Sequence, residues 1–240
     1  MKVVTIQDEH AEWDLLIQAL KGTTSYHRFG WKAIFARSFG HRSYYLAAID
    51  EKGEWQGVLP LVHMRSRTFG NFLVSLPFVN YGGLLCENKL ATVILLDEAE
   101  KIRRSCGATH VELRHVAFGL EDLPTKQHKV TMILDLAKDV DSQWKLFNPK
   151  LRNQIRKAEK SCLEVIIGHL ELLDGFYEVF ARNMRDLGTP VYTKRFFRNV
   201  LETFADSTRI FSVKYHKHFI AVGIALWFRD TLEIPWASSI

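Results

Sequence analysis

Apolar residues recur along the chain at two spacings, and these spacings predict where helices and strands lie. Apolar positions at helical spacing predict helices at Asp8–Leu20, Arg28–Phe39 and Leu90–Ser105. Alternating or short continuous apolar runs predict strands at Tyr44–Ile49, Gln56–Met64, Phe69–Leu76, His110–Arg114 and Lys129–Leu134. Gly40 is expected to end the second helix, and Asp50–Gly53 to form the turn of a hairpin. The first part of the chain is therefore predicted to combine helices with antiparallel strands.

The same order of elements then begins again. It predicts helices at Leu170–Arg185 and Lys194–Phe204, and strands at Arg209–Tyr215, Phe219–Phe228 and Thr231–Trp236. Two helices, a hairpin and a further strand thus occur twice, which indicates a tandem repeat. Gly57 and Gly223 each precede an apolar run just after a hairpin turn, where a glycine suggests a bulge or a close backbone approach.

This order of elements is that of a GNAT unit, the acyltransferase fold in which two neighbouring strands splay apart. We therefore predict an α/β (α+β) fold built from tandem GNAT-like units. Residues 1–145 are expected to form the first unit. Residues 146–240 are expected to form a basic linker helix and a partial second unit.

Composition changes this picture little. The 240 residues are 47% hydrophobic and 25% charged, which is typical of a folded globular protein. No apolar run is long enough to span a bilayer, and the first residues do not resemble a signal peptide, so we expect a cytoplasmic protein without a transmembrane segment. Cys86, Cys106 and Cys162 are odd in number and widely spaced, which favours reduced thiols.

The net charge of +5 is concentrated in one segment. The segment contains one acidic residue, Glu159, and six basic residues, so it carries the whole excess of positive charge. The basic residues are Lys145, Lys150, Arg152, Arg156, Lys157 and Lys160. Asn148 and Pro149 suit the start of a helix here, whose apolar stripe is narrow. Two interpretations remain open. The helix is a linker with a solvated basic face, or Arg152 and Arg156 bind phosphate or pyrophosphate.

Candidate chemistry is sparse. The chain has no phosphate-binding glycine loop, which disfavours a conventional acetyl-CoA donor, and it has no metal-binding or serine-nucleophile motif. We therefore expect no cofactor and no metal. Glu112 could be a base for aminolysis, or it could pair structurally with Arg114. Tyr81, Gly82 and Gly83 could line a cleft or form a plain turn, and Trp236 could line a second cleft or lie in the core.

Several segments together resemble the FemAB-like N-acyltransferases. They are Leu151–Lys160, Gly57–Gly83, Leu187–Tyr192 and Glu233–Ser239, and the last three are similar to a subgroup associated with PEP-CTERM and exosortase systems. The resemblance implies transfer of an acyl or aminoacyl group to an amine. It assigns Arg152 and Arg156, and Arg37 more loosely, to the phosphates of the acceptor. It also implies that the second unit is incomplete, because full relatives continue further.

We therefore expect an N-acyltransferase acting on a nucleotide- or lipid-linked sugar or peptide precursor, in cell-envelope or exopolysaccharide assembly. The donor stays open between aminoacyl-tRNA and an acyl thioester. The basic segment is also compatible with transient contact with a membrane surface, whereas DNA is not an expected partner. The alternative is a non-catalytic GNAT-like protein that binds a phosphorylated glycan or a protein partner. An RNA-binding module is disfavoured, because the sequence lacks a basic and aromatic surface pattern.

Overall fold

A computed structural model describes residues 1–8, 11–68, 70–116, 120, 123–126 and 130–240. The helices are α1 (Ala11–Ala19), α2 (Gly30–Phe39), α3 (Lys89–Ser105), α4 (Val140–Leu146), α5 (Pro149–Glu159), α6 (Leu173–Asp186) and α7 (Lys194–Thr203). The strands of the first sheet are β1 (Lys2–Ile6), β2 (Ser43–Ile49), β3 (Trp55–Ser66), β4 (Gly70–Val74), β5 (Leu85–Cys86) and β6 (Val111–Glu112). Those of the second are β7 (Leu163–Gly168), β8 (Thr208–Tyr215), β9 (His218–Phe228) and β10 (Thr231–Ser239).

The first sheet has the strand order β1-β2-β3-β4-β6, with β5 also paired to β3. Its neighbours are antiparallel except for β4 and β6, which run parallel over two residue pairs. Alternate residues of β2 and β3 enter opposite faces, as the period of a strand requires. On one face, Leu46 and Leu59 pack against Leu95 and Ile102 of α3. On the other, Tyr45 and Val58 face α1 and α2 in the main core.

The second sheet is antiparallel with the order β10-β9-β8-β7. Its inner face carries Ile210, Ile224 and Leu226, which join a core with the phenylalanines of α6 and α7. The outer face carries exposed apolar side chains: Val165 (65%), Ile167 (59%), Phe211 (39%), Leu232 (53%) and Ile234 (60%). We name these five residues the outer face of the second sheet. The corresponding face of the first sheet is the one that α3 covers.

The predicted repeat is present, and each copy also begins with a strand. The orders β1-α1-α2-β2-β3-β4 and β7-α6-α7-β8-β9-β10 are the same. The two copies meet through their second helices, α2 and α7. Asn199 Nδ2 donates to Ser38 Oγ at 2.8 Å in this buried contact. A Cβ at Gly30 would lie 2.7 Å from Thr203 Cγ2 and 2.8 Å from Phe204, so only glycine lets the helices approach this closely.

Most predicted elements are found, and the differences have physical causes. Residues 130–134 form no strand, and Lys129 lies outside the described residues. Their apolar side chains are exposed, and no strand among the described residues supplies a ladder of hydrogen bonds to them. The predicted first helix includes Glu9 and His10, and the third predicted strand begins at Phe69, which are also outside the described residues.

The two glycines compared across the repeat have different surroundings. At Gly57 a Cβ would meet Leu85 O at 2.7 Å, so the expected close backbone approach is confirmed. At Gly223 the nearest atom lies at an ordinary 3.4 Å, so no close approach occurs there. The side-chain-free surface of Gly57 is what lets β5 pair with β3.

The linker helix α5 begins where the sequence predicts. Asn148 Oδ1 accepts a hydrogen bond from Leu151 N at 2.9 Å, and Pro149 occupies the first helical position. Every residue of α4 and α5 is exposed or half-buried. Among the residues that the structure describes, no helix is long and apolar enough to cross a bilayer.

Candidate functional site

The loop between β4 and β5, residues 76–83, is held in a strained shape by Arg114. Leu76 and Phe78 have left-handed backbone angles, with φ of 61° and 68°. The Arg114 guanidinium donates to the carbonyl oxygen of Val79 at 2.8 Å and to that of Leu76 at 3.3 Å. Backbone strain of this kind costs of order 1–3 kcal/mol per residue and concentrates at functional sites. The 76–83 loop is therefore a candidate for positioning a ligand.

Glu112 lies beside this clamp. Its Oε1 accepts from Arg114 Nε at 2.8 Å, and its side chain is 43% exposed. The structure thus shows the ion pair that was the alternative to a catalytic base. In this position the carboxylate orients the guanidinium that holds the 76–83 loop, and its use as a base stays a prediction.

Packing alone explains the two glycines of the loop. Gly82 has a φ of 123°, and a Cβ there would lie 2.6 Å from the Leu76 side chain. At Gly83 a Cβ would lie 2.6 Å from the ring of His115. That ring accepts a hydrogen bond from Leu84 N at 3.0 Å, so it is fixed in place. A role for either glycine in admitting a ligand remains a prediction.

A buried histidine ties the loop to the segment 24–27 of the same unit. His27 Nε2 lies 3.1 Å from Gly83 O, and its Nδ1 lies 3.1 Å from Thr24 N. Burial lowers the pKa of His27 to about 4. The ring is therefore neutral near pH 7, and one tautomer satisfies both contacts: Nε2–H donates to Gly83 and Nδ1 accepts from Thr24. This keeps the backbone of the loop fixed.

An aromatic side chain of the loop contacts the second unit. The Phe78 ring lies 5.3 Å from the Tyr192 ring, and Tyr177 Oη donates to Tyr192 O at 3.1 Å. Burial raises the pKa of Tyr192, although the positive charge of Arg114 lowers it in part. Tyr81 is half-buried, and its hydroxyl contacts Thr131 Oγ1. The 76–83 loop thus lies against both units.

The predicted phosphate-binding arginines lie at the surface. Arg152 is half-buried and Arg156 exposed on α5, where the Arg156 guanidinium carbon lies 5.5 Å from the ring centre of Trp144. Arg37 is exposed near the end of α2. All three can be reached by an anion, and their role in binding one stays a prediction.

Of the two interpretations that the sequence left open for Trp236, the structure favours the core, and its assignment to substrate binding is corrected. It is 4% exposed, and its ring packs edge-on against Phe196 at 5.4 Å and Phe197 at 5.5 Å. A substrate cannot reach it, so Trp236 belongs to the core.

Glu233 is a candidate that the sequence analysis left without a role. The pairing of β10 with β9 shifts by one residue between Glu233 and Trp236, which is a β-bulge containing Pro235. Residues three apart in a regular strand face opposite sides, but the extra residue brings Glu233 to the inner face with Trp236. The sequence signal that could have identified Glu233 is an acidic residue inside an apolar strand with a proline two residues later.

The Glu233 carboxyl faces Tyr26 of the first unit. Burial raises the pKa of Glu233, and burial followed by the charge of Glu233 raises the pKa of Tyr26. The two groups interact, yet they do not meet at hydrogen-bond geometry: Glu233 Oε2 and Tyr26 Oη have no hydrogen-bond partner among the described residues. Glu233 also lines a cleft of about 240 Å³ between the two units.

No metal site is evident in the part of the chain that the structure describes. It contains no group of three or more His, Cys, Asp or Glu side chains that could hold a metal ion. Cys86 and Cys106 are half-buried, Cys162 is exposed, and all three are free thiols.

Comparison with known proteins supports the fold and identifies an acetyltransferase-type domain in one part of the chain. Residues 149–239 match the acetyltransferase (GNAT) domain family. A crystal structure of FemX aligns with a TM-score of 0.71 and 14% identity, over 100% of this chain and 80% of FemX. No curated protein matches the chain.

Two further crystal structures align over part of the chain. A probable acetyltransferase covers 58% of this chain at 17% identity, and a GNAT family acetyltransferase of Staphylococcus aureus subsp. aureus USA300_TCH1516 covers 56% at 14% identity. Each is covered over 100% of its own length, but the TM-score of 0.36 in both cases is too low to support an argument. The chain is thus a mixed α/β protein with the fold of FemX, and its residues 149–239 match a GNAT acetyltransferase domain.

Proposed function

We propose that the chain is an N-acyltransferase that transfers an acyl or aminoacyl group to an amine of a phosphate-bearing precursor. The observation that carries this proposal is the match of residues 149–239 to the GNAT acetyltransferase domain family. The FemX-like fold of the whole chain is consistent with it. Membership of the FemAB-like family, the PEP-CTERM-associated subgroup and a cytoplasmic location are parts of this proposal.

The reaction does not require the protein to form a covalent intermediate. The amine nitrogen attacks the acyl carbon, a C–N bond forms, and the C–O or C–S bond to the donor breaks. The amine loses a proton, and the leaving oxygen or sulfur gains one. Such aminolysis is accelerated mainly by positioning the reactants and stabilising the oxyanion. The 76–83 loop suits this task, because Arg114 and His27 fix its backbone and it lies against both units.

In the proposal, Arg152 and Arg156 hold the phosphates of the acceptor. Both are on α5, whose first residue is also the first residue of the GNAT match. Aminoacyl-tRNA and acyl thioesters remain the candidate donors, and a nucleotide- or lipid-linked sugar or peptide of cell-envelope or exopolysaccharide assembly is the candidate acceptor.

The test is an acyl-transfer assay with mass-spectrometric detection. Purified protein is incubated with charged tRNA or acetyl-CoA as donor and a nucleotide-diphosphate-linked amino sugar or peptide as acceptor. We expect an N-acylated product. Binding of the acceptor without turnover of either donor would favour the alternative, a non-catalytic binding protein.

A double variant, Arg152→Ala with Arg156→Ala, tests the phosphate contacts. Exposed ion pairs contribute up to about 1 kcal/mol each, so acceptor affinity is expected to fall about 5- to 30-fold, with kcat little changed. Lys2→Ala with Lys52→Ala removes the same charge from exposed sites of the first unit and is the matched control. Equal affinity in the arginine variant and the wild type would refute the assignment.

A further inference from the structure

Seven large apolar side chains are exposed in the stretch of chain that leads from the first sheet to α5. Between 61% and 91% of each of these residues is accessible to solvent. At about 100 Å² of apolar surface per side chain, they present roughly 500 Å² to water. Monomeric proteins rarely expose more than this, and patches of this size mark contacts with a protein or a membrane. The seven residues are Val130, Met132, Ile133, Leu134, Leu136, Val140 and Leu146.

Basic side chains without ion-pair partners accompany this apolar stretch and cover α5. Residues 130–160, which we name the 130–160 segment, contain seven basic and four acidic residues and carry a net charge of +3. None of the seven forms an ion pair with a described residue. The segment therefore offers positive charge as well as apolar surface. The basic residues are Lys138, Lys145, Lys150, Arg152, Arg156, Lys157 and Lys160.

Side-chain contacts join the apolar stretch to α4, and α4 to the basic helix. Ala137 N donates to Gln143 Oε1 of α4 at 2.7 Å. The Arg156 guanidinium carbon of α5 lies 5.5 Å from the ring centre of Trp144 on α4. Trp144 is half-buried, and tryptophan is favoured at the boundary between water and lipid. The apolar side chains, this tryptophan and the basic helix thus belong to one connected part of the structure.

We infer that the 130–160 segment docks the protein on an anionic membrane surface. The exposed apolar side chains enter the boundary between headgroups and acyl chains, and the basic residues of α5 attract the anionic headgroups. The positive charge favours a membrane over a second copy of the chain, because contact between copies would bring like charges together, whereas an anionic surface complements them. Docking requires neither an acyl donor nor an acceptor, so it stands apart from the acyl-transfer proposal.

Partition of the intact chain between buffer and vesicles tests this inference. Vesicles of phosphatidylcholine with about one third phosphatidylglycerol are compared with vesicles of phosphatidylcholine alone, and bound protein is separated by flotation. Each basic residue near an anionic surface contributes a factor of about five, so we expect at least about tenfold stronger binding to the anionic vesicles. Raising the ionic strength from about 0.1 M to about 1 M should remove most of this preference, because it screens the charges. Equal binding to both kinds of vesicle, or binding to neither, would overturn the inference.

A pair of leucine variants tests the apolar part of the contact. Leu134→Ser with Leu136→Ser removes two exposed apolar side chains and should weaken binding to anionic vesicles at least about tenfold. Leu15→Ser with Leu90→Ser removes two leucines of similar exposure from α1 and α3 and is the matched control, which should bind like the wild type. Unchanged binding by the first variant, or an equal loss in the control, would refute the location of the contact.

A pair of lysine variants tests the electrostatic part. Lys157→Gln with Lys160→Gln removes two charges from the end of α5 and leaves Arg152 in place, and it should weaken binding to anionic vesicles up to about 30-fold. Lys2→Gln with Lys52→Gln removes the same charge from exposed sites of the first unit and should have no such effect. Equal losses in the two variants would show that net charge alone, and not this segment, attracts the vesicles.

A measurement on the unaltered chain checks the location independently. Hydrogen exchange of peptides covering residues 130–160 should slow when anionic vesicles are added, while peptides from α1 should exchange at an unchanged rate. Sedimentation without vesicles examines contact between copies. A dimer that Leu134→Ser with Leu136→Ser converts to a monomer, together with no slowing of exchange on vesicles, would show that a second copy covers this surface and would overturn the inference.

Discussion

Replacing Arg114 by lysine should loosen the 76–83 loop and leave the rest of the fold intact. The guanidinium makes two hydrogen bonds to loop carbonyls, of Leu76 and Val79. Hydrogen bonds from charged donors contribute about 1.5–3 kcal/mol, and the lower end applies because the Arg114 side chain is 31% exposed. A lysine retains at most one of these bonds. The loop should therefore lose about 1.5 kcal/mol, which corresponds to roughly tenfold more frequent opening.

Hydrogen exchange measured by mass spectrometry on peptides covering residues 76–83 checks this prediction. Arg104→Lys is the matched control, because Arg104 pairs with Glu100 on the exposed side of α3 and contacts no loop carbonyl. Unchanged exchange of the loop in Arg114→Lys, or an equal rise in Arg104→Lys, would show that Arg114 does not hold the loop.

The same measurement separates the two interpretations of Glu112. Glu112→Gln should raise exchange of the loop by less than about threefold, because the bonds of Arg114 to Leu76 and Val79 remain. Loss of acyl transfer without any loosening would instead favour Glu112 as a base.

Two further predictions concern the junction of the units and a buried histidine. Gly30→Ala should lower the free energy of unfolding in urea by about 1–3 kcal/mol, because the new Cβ overlaps Phe204. Gly223→Ala is the control and should leave the free energy of unfolding unchanged, because a Cβ there makes only ordinary contacts. Equal destabilisation by the two substitutions would refute the close approach of α2 and α7 at Gly30. The folded-state pKa of His27, about 4, lies below its ordinary 6.5, so the unfolded chain binds the proton first. The contribution of His27 to the free energy of unfolding should be complete above pH 6.5 and fall by about 3 kcal/mol towards pH 4. His27→Gln should flatten this part of the profile of unfolding free energy against pH. An unchanged profile in His27→Gln would show that His27 is not the group responsible.

Sequence periodicity was sufficient for the long elements of this fold. The helices α1, α2, α3, α6 and α7 and both hairpins have strong apolar spacing, and the cap of α5 at Asn148 was correctly placed, whereas the short helix α4 was not predicted. The strands β1 and β7 were missed, because they are short edge strands whose burial depends on a partner distant in sequence. Residues 130–134 have the composition of a strand but no described neighbour to pair with, which periodicity cannot reveal.

The site was less accessible to sequence reasoning than the fold. Arg114 was considered only as a neighbour of Glu112, because its hydrogen bonds to the 76–83 loop join residues 35 and 38 positions apart. For Trp236 the sequence left a cleft and the core both open, since a tryptophan near a strand end does not show which rings surround it. Glu233 was overlooked because a one-residue bulge decides which face it occupies, and a bulge alters the alternation on which the analysis depends.

The outer face of the second sheet has a practical consequence for measuring stability. Fluorescent dyes that bind apolar surface normally report a loosely packed or unfolding chain. Here the native protein already presents Val165, Ile167 and Ile234 to solvent, at 59–65% exposure. Such a dye should fluoresce strongly at low temperature, and its signal would be mistaken for partial unfolding. Melting followed by circular dichroism does not depend on that surface, so a high dye baseline together with a sharp dichroism transition is the expected behaviour of this folded chain.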